Sequence, residues 1–308
     1  MKPDLSVDLC GIRMKNPIVT NSGTCGNGRE LSRFYDLGAL GAFTVKSITL
    51  EKRLGNPNPR IAECVSGILN SIGIPSQGVR HFIQEDLPFL RQYAVPVIVS
   101  IAGNFIDDYP KIAAILDKEE GISAIEVNIS CPNLEMGGCS FGADPEAAGR
   151  IVRLVKSKTR LPVIAKLTPN VSDITSIARS VEHHGADAVS LINTLAGMAI
   201  DIGTQKPKLG NVVGGLSGPA IKPVAIKMVW DVYRSVKVPI IGMGGVMTWE
   251  DAIEFILAGA TAAGVGTALF RDPCVVFEMI DGIQSYMEKR GIERLEEIRG
   301  KVKLSRPA

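Results

Sequence analysis

The chain has 308 residues, 45% hydrophobic and 21% charged, the balance of an ordinary soluble globular protein with ample material for a full core. Its 34 basic and 32 acidic side chains leave a net charge of +2, so bulk charge gives no argument for a nucleic-acid partner, and the tail Lys301, Lys303, Arg306 reads as a solvated terminus. The six cysteines, at 10, 25, 64, 131, 139 and 274, form no C-x-x-C pair, and the three histidines lack metal-ligand spacing; neither a metal site nor Fe–S ligation by this chain alone is expected. The opening residues lack a signal-peptide pattern and no apolar run approaches ~18 residues. The expectation is a cytoplasmic protein with reduced thiols and no membrane segment.

In chain order, short apolar runs alternate with longer helical patterns. The candidate strands are Pro17–Thr24, Ala42–Thr49, Pro96–Gly103, Ala124–Cys131, Pro162–Thr168, Ala188–Thr194, Pro239–Val246 and Ala262–Leu269. Runs such as VPVIVSIAG and VPIIGMGGV suit strands buried on both faces of a parallel sheet. Between them, DPEAAGRIVRLVKSKTR and GPAIKPVAIKMVWDVYRSV have helical periodicity. They start at Asp144-Pro145 and Ser217-Gly218-Pro219, which carry cap residues with Pro at or near the first turn. Eight strands with intervening helices favour a closed (β/α)8 TIM barrel over an open sheet, in one domain spanning 1–308. Two stretches break the pattern. Glu51–Gln77, with Pro57, Pro59 and Pro75, is too long for a routine connection and reads as a functional loop or hairpin insert. Leu195–Leu216 is similar. Both inserts follow strands, at the C-terminal face of the barrel.

In such a barrel the active site lies at the C-terminal strand ends. Strand two ends in Lys46-Ser47, strand four in Asn128-Ile129-Ser130-Cys131 and strand six in Asn193-Thr194. Strand five carries Lys166, and the first insert adds Asn70-Ser71. Amides offer donors and an acceptor to a flat polar ligand. Lysines suit an anionic ligand or developing negative charge. Any one of these asparagines alone is as readily a loop cap; together they make a site. Strands seven and eight end in Gly-Met-Gly-Gly (242–245) and Gly-Val-Gly-Thr (264–267), where bare backbone N–H groups suit a phosphate-bearing cofactor. Ser217-Gly218 before a helix offers another N-terminus. Cys131 opens a loop with Pro132 and glycines 137, 138 and 142. Its position fits a base or nucleophile and equally an inert half-buried thiol. Cys10, Cys25, Cys64, Cys139 and Cys274 read as inert.

The strings TVKSIT, NSIGIPSQG, EVNISCPN, GGCSFG, AKLTPN, INTLAGMAIDI, GGLSGPAIKP, IIGMGGV and GVGTALF, in this order, resemble the dihydroorotate dehydrogenases over most of the chain. The resemblance implies FMN, the oxidation of dihydroorotate to orotate in pyrimidine synthesis, and Cys131 as the base that removes the C5 proton while hydride leaves C6 for the flavin. It implies orotate binding by Lys46, Asn70, Ser71, Ile72, Gly73, Ile74, Asn128, Asn193 and Thr194, with Asn133 joining them. It implies flavin contacts from Ser22, Lys46, Ser47, Asn128, Lys166, Ile192, Gly218, Gly244, Gly245, Gly266 and Thr267, with Lys166 near the flavin N1–C2=O edge. Ser100 stands where many relatives have an asparagine that contacts the flavin. A cysteine base marks the soluble branch of the family. NTLAGMAIDI and GGLSGPAIKP look most like the subgroup that passes electrons to NAD through a separate subunit holding FAD and a [2Fe–2S] cluster, built on a homodimeric core within a heterotetramer. No G-x-G-x-x-G follows a strand and opens a helix here, so a dinucleotide site is not evident in this chain. The alternatives are a partner-free barrel that reduces fumarate, a barrel like dihydropyrimidine dehydrogenase acting on uracil or thymine, and a non-catalytic flavin-binding barrel, against which Cys131, Lys46 and Lys166 argue.

Overall fold

The computed structural model describes residues 2–130 and 141–304. Eight parallel strands carry the fold: β1 (Ile18–Thr20), β2 (Phe43–Thr44), β3 (Val97–Ile101), β4 (Ala124–Asn128), β5 (Val163–Lys166), β6 (Ala188–Leu191), β7 (Ile240–Met243) and β8 (Ala262–Val265). Neighbours in sequence pair from β2 through β8, and β8 pairs with β1. The ring closes where Val19 bridges Ala42 and Thr20 N donates to Ala42 O at 3.3 Å. The result is the (β/α)8 barrel that the sequence predicts.

Every residue of these strands is buried, because inner faces fill the barrel and outer faces lie under helices. The helices Asp108–Leu116, Pro145–Lys156, Ile174–His183, Lys222–Tyr233, Trp249–Ala258 and Val275–Arg290 supply that cover. Their buried residues recur at helical spacing, as with Ile174, Ile177, Ala178 and Val181, so each presents one apolar stripe to the sheet. Asp144 caps its helix as expected, accepting from Ala147 N at 2.9 Å, with Pro145 in the first turn. The second expected start is different. Pro219–Ile221 is a single 3-10 turn, and the α-helix begins at Lys222. Ser217 does not cap it; its hydroxyl donates to Ile68 O instead, at 3.4 Å.

The candidate strand ranges overrun the ladder. Ala42–Thr49 contracts to β2 and Ala188–Thr194 to β6, and Ala262–Leu269 runs into the helical turn Ala268–Arg271. The overrunning residues bend out of the sheet and find other backbone partners: Lys46 N donates to Gly26 O and Asn193 N to Leu167 O. They form the barrel mouth. The two irregular inserts fold together over that mouth. The strands Ile61–Cys64 and Gly67–Asn70 form a hairpin. The strands Leu195–Met198 and Val213–Ser217 come from the other insert. All four make one antiparallel sheet, in which Gly215 stands opposite Asn70. None of the described helices is long and apolar enough to cross a membrane.

The turn after β7 is anchored by one carboxylate. Asp251 accepts from Met247 N (2.8 Å) and Thr248 N (3.0 Å) and receives Lys222 Nζ at 2.6 Å. Thr248 completes the capping box of Trp249–Ala258. Asp251 therefore fixes both the helix start and its neighbour. Asp251→Ala is expected to lower stability by about 1.5–3 kcal/mol, the range for hydrogen bonds to a charged group, read as a lower urea midpoint with unchanged slope. An unchanged midpoint would refute the assignment.

Candidate active site

The mouth is built in two tiers of polar side chains that ride on six of the eight strands. The upper tier joins β2, β3 and β4. Ser47 and Ser100 share a hydrogen bond at 2.9 Å, and Asn128 Nδ2 donates to Ser47 Oγ at 3.2 Å. Ser100 is fully buried and is linked to the mouth through Ser47. Asn128 is fixed on both sides. Its Oδ1 accepts from Ser130 N at 3.3 Å, and its backbone carbonyl accepts from Tyr109 OH at 3.0 Å. A short amide held this firmly presents a defined donor and acceptor pattern to a ligand.

The lower tier joins β4, β5, β6 and the end of β1. Lys166 Nζ lies 3.6 Å from Glu126 Oε1 and donates to Ser22 Oγ at 2.9 Å. Glu126 Oε2 accepts from Ser190 Oγ at 2.9 Å. Lys166 is 4% and Glu126 1% exposed. Breaking a buried pair of this kind by removing one partner costs about 3–5 kcal/mol, because the other charge is left uncompensated.

One wall carries a second cation set. Lys46 sits on the loop after β2, and burial pushes its pKa down, aided by the nearby Arg60 charge and opposed by Glu30. The loop 70–74 runs beside it. Asn70 Nδ2 donates to Gly215 O at 3.2 Å, and Ser71 N donates to Arg60 O at 2.8 Å. Asn56 Nδ2 donates to Ser71 Oγ at 2.9 Å and Asn56 N to Ile72 O at 3.1 Å. Gly73 and Ile74 both have positive φ, 75° and 49°. A branched side chain in that region is strained and is retained where the surrounding structure holds the loop in one shape. On the next wall Thr194 N donates to Asn193 Oδ1 at 2.8 Å, and Asn170 Nδ2 donates to Thr194 O at 3.1 Å. Ile192 is buried, its N–H on Met243 O at 2.9 Å, after a cis peptide from Leu191.

The remaining wall is backbone. Gly218, Gly244 and Gly245 have φ of 100°, 114° and 85°. A Cβ at Gly245 would lie 2.7 Å from Lys222 Cβ and 2.9 Å from Lys222 N, so the loop after β7 can sit against this helix start only as glycine. Lys222 itself is drawn to Asp251 and Glu254. Thr267 Oγ1 donates to Ser217 Oγ at 3.0 Å and ties the loop after β8 to Gly218. Two buried polar atoms near the strand ends, Asn21 Oδ1 and Ser130 Oγ, have no hydrogen-bond partner among the described residues. Buried polar atoms left unpaired call for a missing partner. A glycine cradle on one wall, cations and amides on the others, and these open valences fit a flat, phosphate-bearing cofactor beside a small anionic ligand.

The residues read from the sequence thus gather at one mouth: Ser22, Lys46, Ser47, Asn70 to Ile74, Asn128, Lys166, Ile192, Asn193, Thr194, Gly218, Gly244, Gly245, Gly266 and Thr267. Cys131, Asn133 and Cys139 lie outside the described residues. Glu126, Ser190, Arg60, Tyr109 and Asn170 were missed. Glu126 had a usable signal, since a carboxylate inside an otherwise apolar strand demands a buried partner.

A profile described as "Dihydroorotate dehydrogenase" matches residues 4–287 of the chain. A protein of Desulforamulus reducens is 52% identical over 97% of this chain and 99% of its own. One from Alkaliphilus oremlandii is 53% identical over 97% and 99%, and one from Geotalea uraniireducens 50% identical over 97% and 98%. All three bear the name "Dihydroorotate dehydrogenase B (NAD(+)), catalytic subunit".

Cys25 is buried, and burial pushes its thiol up to about 11; burial and the charges of Asp187 and Asp8 push Cys10 up to about 12. Both thiols stay protonated near neutrality and are poor nucleophiles. In native protein at pH 8, Cys10 and Cys25 are expected to escape iodoacetamide, while denatured protein alkylates at both. Peptide mass spectrometry decides, and rapid native labelling of Cys25 would contradict the packing described.

Proposed function

Because the chain belongs to the dihydroorotate dehydrogenase family, we propose that it is the catalytic subunit of an NAD-linked enzyme of that family, oxidising dihydroorotate to orotate for pyrimidine synthesis in the cytoplasm. The observation that carries the reading is the convergence of Lys46, Asn70, Asn128, Lys166 and Asn193 on a mouth whose opposite wall is glycine backbone. The cofactor is FMN, held within a single barrel domain spanning 1–308; it supplies the acceptor for hydride from the substrate. The loops of Gly218, Gly244, Gly245, Gly266 and Thr267 hold its phosphate through backbone N–H groups. Ser22, Ser47, Asn128, Lys166 and Ile192 hold the ring system, with Ser100 steadying Ser47. The Lys166 ammonium favours the reduced, anionic ring.

The loop 70–74 would line the substrate's side of the mouth. Lys46 takes its carboxylate, with Asn70, Ser71 and the backbone of Ile72, Gly73 and Ile74 beside it. Asn128, Asn193 and Thr194 meet the ring amides, joined by Asn133. Cys131 removes the proton from C5 as general base. A thiol of ordinary pKa, ~8.5, is mostly protonated at neutral pH, so proton removal speeds up as pH rises. The onward acceptor would be a partner subunit holding FAD and a [2Fe–2S] cluster, docked on a homodimer of barrels.

Three outcomes test this. The purified protein is expected to be yellow, with one FMN per chain; a colourless protein that fails to take up FMN removes the basis of the reading. Cys131→Ala should keep FMN and slow anaerobic flavin reduction by dihydroorotate by ~10²–10⁴-fold, the usual contribution of a general base. Near-normal reduction rules Cys131 out. The isolated chain should reduce a soluble dye with dihydroorotate yet give negligible NADH until the partner subunit is added. Robust NADH formation by the chain alone would exclude the partner, and efficient fumarate reduction would move it to the partner-free branch.

A further inference from the structure

The lower tier of the mouth holds a buried carboxylate that lies beneath the groups facing the substrate. Glu126 stands on β4 two residues below Asn128, on the same face of the strand. It is 1% exposed. One oxygen takes the Ser190 hydroxyl at 2.9 Å; the other faces the Lys166 ammonium at 3.6 Å and has no hydrogen bond among the described residues. Lys166 in turn reaches Ser22 at 2.9 Å. The ammonium is thus held between a carboxylate below and the end of β1 above.

A lone ammonium under a flavin, buried at low effective dielectric, stabilises the negative charge that the ring gains on reduction. Left uncompensated, it favours the reduced ring strongly and opposes the onward transfer of electrons. A carboxylate fixed beneath it cancels part of that field and stops the ammonium from swinging. Ser190 prevents the carboxylate from turning away. The arrangement costs desolvation of two ions, which apolar residues at both 126 and 166 would avoid.

We propose that Glu126 is a positioning residue that holds the Lys166 ammonium and offsets part of its charge, lowering the reduction potential of the bound flavin so that electrons pass on to the acceptor. The proposal rests on the reading of the mouth as a flavin site. Ser190 belongs to the same device as the hydroxyl that orients the carboxylate. Neither residue touches the substrate in this account. Their effect is carried by charge and by the placement of Lys166.

The test is the two-electron midpoint potential of the FMN-loaded protein, measured anaerobically against a reference dye in slow reductive titration. Wild type, Glu126→Gln and Glu126→Asp are compared. Glu126→Gln keeps the size of the side chain and a partner for Ser190 but removes the charge. Its flavin equilibrium should shift at least tenfold toward the reduced form, about 30 mV for a two-electron couple. Glu126→Asp keeps the charge and draws it back by one methylene, so the shift should have the same sign and be smaller. A sulfite titration of the oxidised flavin should follow the same order, with tightest binding in Glu126→Gln. A purely structural role changes thermal stability and leaves the potential in place. An unchanged or lowered potential in flavin-loaded Glu126→Gln overturns the proposal; if that variant does not fold, an unchanged or lowered potential in Glu126→Asp does so. A wild-type protein that binds no flavin overturns the reading beneath it instead, and the wild-type spectrum alone separates the two failures.

Discussion

A carboxylate and an ammonium face each other 3.6 Å apart inside a closed barrel, where water does not stabilise either. Polar groups in such an interior must be satisfied by one another. Lys166, Glu126, Ser190 and Ser22 meet that demand only if β4, β5, β6 and the end of β1 stand in the observed order and register. A slip of one residue along β5 would turn Lys166 to the helix side and strand both charges. The pair therefore ties the site to the fold. Asn128 lies directly above on the same strand, and its own contacts pass to Ser47 and Ser100, so the upper tier inherits its alignment from the lower.

The barrel was legible because its strands are continuous apolar runs and its helices carry a clear stripe. Their limits were less so. Lys46-Ser47 and Asn193-Thr194 follow β2 and β6 without any Gly or Pro, so nothing in the sequence marks where the ladder stops and the mouth begins. The site was legible at its rim, where amides and lysines stand out against apolar strands. Glu126 stands out as a carboxylate inside an apolar strand, but its partners Lys166 and Ser190 lie 40 and 64 positions away, so the sequence does not show what it pairs with. Ser217 shows the limit of local cap rules. Its neighbours Gly218 and Pro219 suggest a helix start, yet its hydroxyl is engaged by Ile68 and Thr267 from distant segments.

The two sides of the mouth differ in the groups they would offer a ligand. The glycine wall offers peptide N–H groups whose positions are set by backbone and by the Asp251 anchor behind them. The opposite walls use amides and ammonium groups of defined reach. The first suits a terminal phosphate, which is much the same on many cofactors, and the second a ring whose donors and acceptors differ from one ligand to the next. Lys222 marks the boundary: its chain packs beside Gly245, while its charge is committed to Asp251 and Glu254.

The sheet over the mouth joins two segments that lie far apart along the chain, with Asn70 bonded to Gly215 across 145 positions. Closing so long a loop from an unfolded chain carries a large entropic penalty, and the glycine-rich strand Val213–Ser217 has little intrinsic preference to offset it. The ends meet cheaply only once the intervening strands, β3 to β6, have brought them to the same rim. A chain that stops before Val213 therefore carries the hairpin Ile61–Cys64 and Gly67–Asn70 without the strand it is bonded to, and the later segment completes the sheet over the mouth.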